Sequence, residues 1–195
     1  MKIKRPTFLF PLSFLLLFSG LVFGQETEIK KEYWGEGKLK SEKHYKDGKI
    51  DGFFTIWHKN GKKHYKTHFK ADKKDGPSAA WYPNGEKRYE KNYKHGREHG
   101  RFTIWYQNGQ KEWEAHYKNG AQDGRFTLWH ENGRKDLELT LKNGRQHGLL
   151  IEWYENGKKK TERNYKNGKE DGLVTEWDEN GIVISEKNFV NGNEQ

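Results

Sequence analysis

The sequence predicts an all-β chain, an elongated twisted antiparallel meander of stacked β-hairpins, preceded by a signal-peptide helix. Three observations predict it. Tryptophan recurs every 24 residues, at Trp57, Trp81, Trp105, Trp129, Trp153 and Trp177. Glycine-containing turn signals recur in the same register between short aromatic-rich runs. The first 24 residues are of a different kind, with Lys2, Lys4 and Arg5 ahead of an apolar run from Phe8 to Phe23.

That leader has the charge, apolar length and small residues near Gly24 that mark a secretory signal. Its apolar run is short for a span of about 20 residues and contains Pro11. Cleavage ahead of Gln25 is the expectation, which leaves residues 25–195 as the repeat domain. The mature chain then holds 34 Lys+Arg against 28 Asp+Glu, a net charge of +6.

The array is expected to start with a partial unit over residues 33–48, with Tyr33 and Gly37 in register. Six units over about 49–192 follow. A fixed period over six units identifies a repeat architecture. One glycine series is Gly52, Gly76, Gly100, Gly124, Gly148 and Gly172. A second, within Asn-Gly dipeptides, is Gly61, Gly85, Gly109, Gly133, Gly157 and Gly181. Both series are read as the turns that define the repeat. A third runs Gly48, Gly96, Gly120, Gly144, Gly168 and Gly192, with Asp72 as its one substitution.

Between the turns lie two short strands per unit, Phe102 to Tyr106 and Lys111 to Tyr117 in the third. Their aromatic and β-branched content and glycine boundaries fit strands. No stretch of the repeat keeps a 3.6-residue period with caps, so almost no helix is expected there. Around fourteen strands at ~4.8 Å give a sheet roughly 60–70 Å long.

Pro83, in Tyr82-Pro83-Asn84-Gly85, selects the loop type. A two-residue loop would place it where a strand needs its missing N–H. A three-residue loop, a type I turn followed by a glycine bulge, places it at the second turn position, which proline suits. The register drawn from that loop puts Trp105, Thr103, Trp113 and Ala115 on one face, matched by Trp57, Thr55, Tyr65 and Thr67. Phe102 and Ile104 then share the other face with Glu112, Glu114 and His116. In the second turn, Asp51, Asp75, His99, Asp123, His147 and Asp171 are read as tolerating left-handed backbone. Pro77, Ser78, Ala79 and Ala80 replace bulky residues, and predict a notch with weaker pairing.

Composition narrows the function. Charged residues are 33% and hydrophobic ones 31%, too few for a bulky core, yet 15% aromatics exclude disorder. With no cysteine there is no disulfide and no thiolate chemistry. His64 and His68, four apart on one strand, are about 13 Å apart and cannot chelate one ion unaided. His95 and His99 lack a carboxylate cluster, so no metal site is expected. Glu112 and Glu114 have carboxylate spacing known from glycosidases. But Glu42, Glu90, Glu114, Glu138, Glu162 and Glu186 form a column, which charge pairing with nearby lysines explains. No nucleophile triad, phosphate loop or dinucleotide motif is present. No catalytic, cofactor-binding or metal-binding residue is therefore assigned. The candidate binding surface is the tryptophans, Trp57, Trp81, Trp105, Trp113, Trp129, Trp153 and Trp177, set against their use as the sheet's own ridge.

The unit Asp123-Gly124-Arg125-Phe126-Thr127-Leu128-Trp129-His130-Glu131-Asn132-Gly133, closed by Lys142-Asn143-Gly144, resembles the MORN repeat variant. This is a bacterial relative of the membrane occupation and recognition nexus repeat. Similar chains are labelled YwqK-family toxin–antitoxin antitoxins, from whose cytosolic setting the apolar leader departs. The resemblance covers residues 33–192 and implies a hairpin array for protein or lipid contact that carries no catalytic group.

The expectation is an exported, non-enzymatic repeat protein that binds another protein or the envelope surface as a scaffold. The alternatives are a neutraliser of a partner toxin and a purely structural envelope protein. Anionic lipid or envelope polysaccharide suits the basic balance, and export disfavours nucleic acid. Free sheet edges leave room for a homo-oligomer.

Overall fold

The structure is a computed structural model that describes residues 26–195; the leader expected over 1–24 lies outside the described residues. The described chain forms one 17-stranded antiparallel sheet, with no α-helix. Successive strands pair in chain order, with the two halves of each split strand on the same preceding strand, so the sheet is a continuous meander. It begins earlier than Tyr33, because Thr27–Tyr33 already pairs with Leu39–Lys46. The strand count exceeds fourteen partly because two strands are split. His99 divides Arg97–Glu98 from Gly100–Trp105, and Asp171 divides Lys169–Glu170 from Gly172–Trp177.

Each unit has a strand ending in tryptophan, as in Lys49–Trp57, Lys73–Trp81, Ala121–Trp129 and Arg145–Trp153. A return strand follows, as in Lys63–Lys70, Lys87–Lys94, Lys111–Lys118, Lys135–Lys142, Lys159–Lys166 and Val183–Val190.

The Asn-Gly loop is the bulged three-residue loop. Gly85 N–H donates to the Tyr82 carbonyl at 2.8 Å, and Tyr82 N–H donates to the Glu86 carbonyl at 2.9 Å. Pro83 thus occupies the second turn position, and Gly85 has φ +94°, a left-handed value that glycine adopts freely.

The predicted faces are overturned. Trp105 lies opposite Lys111, but Ile104 lies opposite Trp113, so the return strand gains one residue there. The same shift precedes the tryptophan in all six units. One extra residue flips every later side chain of the return strand. Phe102, Ile104, Trp113 and Ala115 therefore share one face, and Thr103, Trp105 and Glu114 share the other. The bulge sorts apolar with apolar and acid with base, which the loop alone would have mixed.

The second turn is a two-residue loop with positive φ at both residues, as at Asn119 (+54°) and Gly120 (+88°). This is the type I′ geometry that matches strand twist. The Gly52 series sits beyond it, in a bulge within the strand. Gln122 opposes Tyr117 while Phe126 opposes Ala115, so three residues face His116 alone. Gly124, at φ +118°, lies in that bulge, and a Cβ there would stand 3.1 Å from the His116 Cβ. The aspartates of this segment keep negative φ, contrary to expectation. Their carboxylates instead reach the next unit.

No helix or second sheet packs on either face among the described residues. Small residues are buried between long neighbours on both faces: Thr103 is 0% and Ala115 is 1% exposed. The expected notch is filled, since Ser78 and Ala80 are buried and lie opposite Thr67, Tyr65, Lys91 and Tyr89 in unbroken pairing.

Candidate functional site

The seven tryptophans do not form one surface. Six lie on the face of Thr103 and Glu114, and Trp113 lies on the other. The six are half-buried and tied to their neighbours. Lys63, Lys87, Lys111, Lys135 and Lys159 place their ammonium groups 5.2–5.9 Å from the ring centroids of Trp81, Trp105, Trp129, Trp153 and Trp177, one unit ahead. Each such contact adds about 0.5–1 kcal/mol at exposed sites.

Four of these lysines also bond a carboxylate three residues on. The Lys87–Glu90, Lys111–Glu114, Lys135–Glu138 and Lys159–Glu162 distances are 2.5–2.8 Å. Residues three apart share a strand face only because the bulge lies between them. At Glu114, burial pushes the pKa up, but Lys111 and the Thr103 hydroxyl outweigh it and hold the carboxyl below its ordinary value. The glutamate column is thus part of the unit's own bonding. The six tryptophans are a ladder within the sheet, and five of them, Trp81 to Trp177, are covered by cations.

The opposite face carries a packed aromatic stripe. Phe102 meets Trp113 edge-on at 4.5 Å between ring centroids, Tyr89 at 6.0 Å and Tyr117 at 6.1 Å. Trp113 lies 6.0 Å from Phe126. Leu128, Leu137, Leu139 and Leu150 extend the stripe along the sheet. Charged groups end it on either side. Lys43 covers the Phe54 ring at 4.8 Å, and Arg163 bonds Glu170 at 3.0 Å and Glu176 at 3.3 Å. Phe102, Trp113 and Phe126 are only half-buried; Lys91 lies over the Phe102 ring at 4.6 Å, and no helix or second sheet among the described residues covers the stripe. Sequence periodicity missed this stripe, since it emerges only when the bulge swaps the return strand.

The two turn edges differ. Along the Asn-Gly edge five asparagines hold their own loop and the next, while in the last loop Asp178 takes the place of Asn180. Asn108 Oδ1 accepts from Gln110 N–H at 2.9 Å, and Asn108 Nδ2 donates to the Glu131 carbonyl at 3.0 Å. The same pair of bonds recurs at Asn60, Asn84, Asn132 and Asn156. Tyr82, Tyr106 and Tyr154 hydroxyls donate to the carbonyls of Trp105, Trp129 and Trp177 at 2.8–2.9 Å. His58 Nε2 lies 3.1 Å from the Trp81 carbonyl in the same column, a polar column that sequence reasoning did not use; His130, also in it, makes no such bond.

Along the type I′ edge, cations face each other across the turns. Lys46 opposes Lys49, Lys70 opposes Lys73, Lys94 opposes Arg97, Lys142 opposes Arg145 and Lys166 opposes Lys169. None of these ten cations makes an ion pair among the described residues; at this edge Asp75 lies 3.4 Å from His95 in the next turn. No group of three or more His, Asp or Glu among the described residues is placed to hold a metal ion.

These features define a class, an open hairpin-repeat sheet whose chemistry lies in its surfaces. Five stretches of the chain, 29–47, 74–95, 98–119, 146–167 and 170–191, match the MORN repeat variant family. They cover more than half of the sequence, and the chain belongs to that family. The unmatched stretches 48–73 and 120–145 keep the same strands, loops and bulges. No curated protein matches the chain. Repeats of this family commonly serve as protein-binding or membrane-binding modules.

Proposed function

We propose that the protein is an exported, non-enzymatic scaffold that binds another protein through the aromatic stripe of Tyr89, Phe102, Trp113 and Phe126. One observation carries this reading: the stripe lies on a one-layer sheet on which no helix or second sheet packs among the described residues. A sheet face of this kind normally buries itself against a second layer. Aromatic anchors are also enriched at the centre of protein interfaces. Lys91 lies within the stripe, 4.6 Å from the Phe102 ring, with its charge paired to Glu98 at 2.8 Å. The bonds already made by the glutamate column and the tryptophan ladder support a role without catalysis.

Export rests on the leader sequence. The second reading, an antitoxin that neutralises a partner toxin, needs the same stripe but a different compartment. Fractionation of the native host with N-terminal sequencing separates the two. A mature start near Gln25 in the envelope or medium is the expected result. An intact Met1 chain in the cytosol overturns export and moves the toxin-neutralising reading to first place.

A further inference from the structure

The type I′ edge contains a comparison made by the protein itself. In four units an aspartate carboxylate accepts the N–H of the first residue of the next unit's turn. Asp51 accepts from Ala71 at 3.2 Å, Asp75 from His95 at 3.0 Å, Asp123 from Asn143 at 3.0 Å and Asp171 from Asn191 at 3.4 Å. In the other two units the column holds His99 and His147. The corresponding turn groups, Asn119 N–H and Asn167 N–H, have no acceptor among the described residues. The second N–H of each of these turns is bonded as elsewhere, Gly120 to Glu98 and Gly168 to Gln146, both at 2.8 Å. The turns are therefore the same, and only the carboxylate differs.

The electrostatic setting of these two turns is cationic. A cleft of about 340 Å³ at the second is lined by Lys142, Asn143, Arg145, His147 and Asn167. Lys142 and Arg145 face each other at its mouth, and Lys166 and Lys169 flank the turn itself. Lys94, Arg97 and Lys118 hold the same places beside Asn119. Like charges directly opposed across a strand pair weaken it. Their recurrence in five turns, without acidic partners, fits an anion supplied from outside.

We propose that the Asn119 and Asn167 turns are two carboxylate-binding notches, and that their ligand is a linear acidic polysaccharide lying along this edge. The inference rests on reading the array as a binding scaffold. The four aspartates show the chemistry, a carboxylate on a turn N–H, that the ligand reproduces at the histidine units. The cations run as opposed pairs along one edge, with about 10 Å between successive turns. The two notches are four strands apart, roughly 19 Å. A line of charge fits a polymer with carboxylates at intervals better than a planar headgroup layer.

The test is titration of the ¹⁵N-labelled protein with a galacturonic acid oligosaccharide, read by amide shifts. The Asn119 and Asn167 amides should move, and those of Ala71, His95, Asn143 and Asn191, held by their own aspartates, should not. The double variant H99D/H147D installs the internal carboxylates and should fold as well as the parent. Its affinity should fall about tenfold or more, the loss of a charge-assisted hydrogen bond per notch. Equal binding by the variant overturns the proposal. So do equal shifts with the methyl-esterified oligosaccharide, or binding to phosphatidylglycerol vesicles but not to the oligosaccharide. Phe102→Ser is the control for the scaffold reading. If the oligosaccharide does not bind but Phe102→Ser still abolishes partner binding, only the polysaccharide inference fails.

Discussion

The two long edges of this sheet are built from equally regular turns, yet they bond in opposite ways. At the Asn-Gly edge five of the six asparagines serve their own loop and the next, and four of the lysines just inside it are paired with both a glutamate and a tryptophan. At the type I′ edge, side-chain ties between units depend on an aspartate that two units lack, and the flanking cations oppose one another. The difference teaches where each edge spends its polar groups. The first edge is the more fully bonded and holds the array together. The second leaves two turn N–H groups and five opposed cation pairs without a partner among the described residues.

The largest test of this contrast is in the glycines. Gly124→Ala forces a Cβ to 3.1 Å from His116 at φ +118°, and should cost about 2–3 kcal/mol in urea unfolding. Gly109→Ala, at φ +85° in the Asn-Gly loop with its nearest neighbour the Glu86 Oε2 at 3.9 Å, should cost about 1 kcal/mol. Equal losses would break the claim that the first position is a close-packed bulge and the second an open turn.

Hydrogen bonds come next. Asn108→Ala removes two bonds and should cost about 1 kcal/mol, while Asp123→Ala removes one exposed bond and should cost about half of that. A larger loss at Asp123 would reverse the assignment of the stabilising edge. Charges give a finer contrast. Lys111→Met keeps the stem but removes the Trp129 and Glu114 contacts, and should cost about 0.5–1 kcal/mol. Lys142→Met removes a cation opposed to Arg145, and thermal unfolding should show no loss or a slight gain.

The smallest effect is in pH. Glu114 is held below its ordinary pKa, so the folded form favours the ionised carboxylate. Its contribution is complete above the ordinary carboxylate range and is lost as pH falls through the lowered folded value. Stability should decline on acidification, and Glu114→Gln should flatten part of that decline. An unchanged pH slope in the variant would contradict the pairing.

Much of the architecture was legible in the sequence, because turns depend on a few residues with strong backbone preferences. Pro83 identified the loop type, and the 24-residue columns identified the meander. The faces were not legible. The return-strand bulge occupies Lys63-His64 in one unit and Lys111-Glu112 in another, and neither dipeptide has a backbone signature. Its cause is collective, since it aligns Trp113 with Phe102 and Glu114 with Lys111 and Thr103 at once. The role of the aspartates was hidden for a related reason. Asp123 bonds a turn 20 residues away, so a local reading assigned it to its own turn. The tryptophans stood out by repetition, but repetition marked the internal ladder. The uncovered aromatic stripe uses residues that vary from unit to unit, Tyr65, Tyr89, Trp113 and Leu137 in one column.

Hydrogen–deuterium exchange of the protein, with and without envelope material from its host, tests the central claim most directly. The scaffold account predicts added protection in the strands that carry Tyr89, Phe102, Trp113 and Phe126, lost in Phe102→Ser. Exchange unchanged by envelope material, or protection that survives in Phe102→Ser, would contradict it.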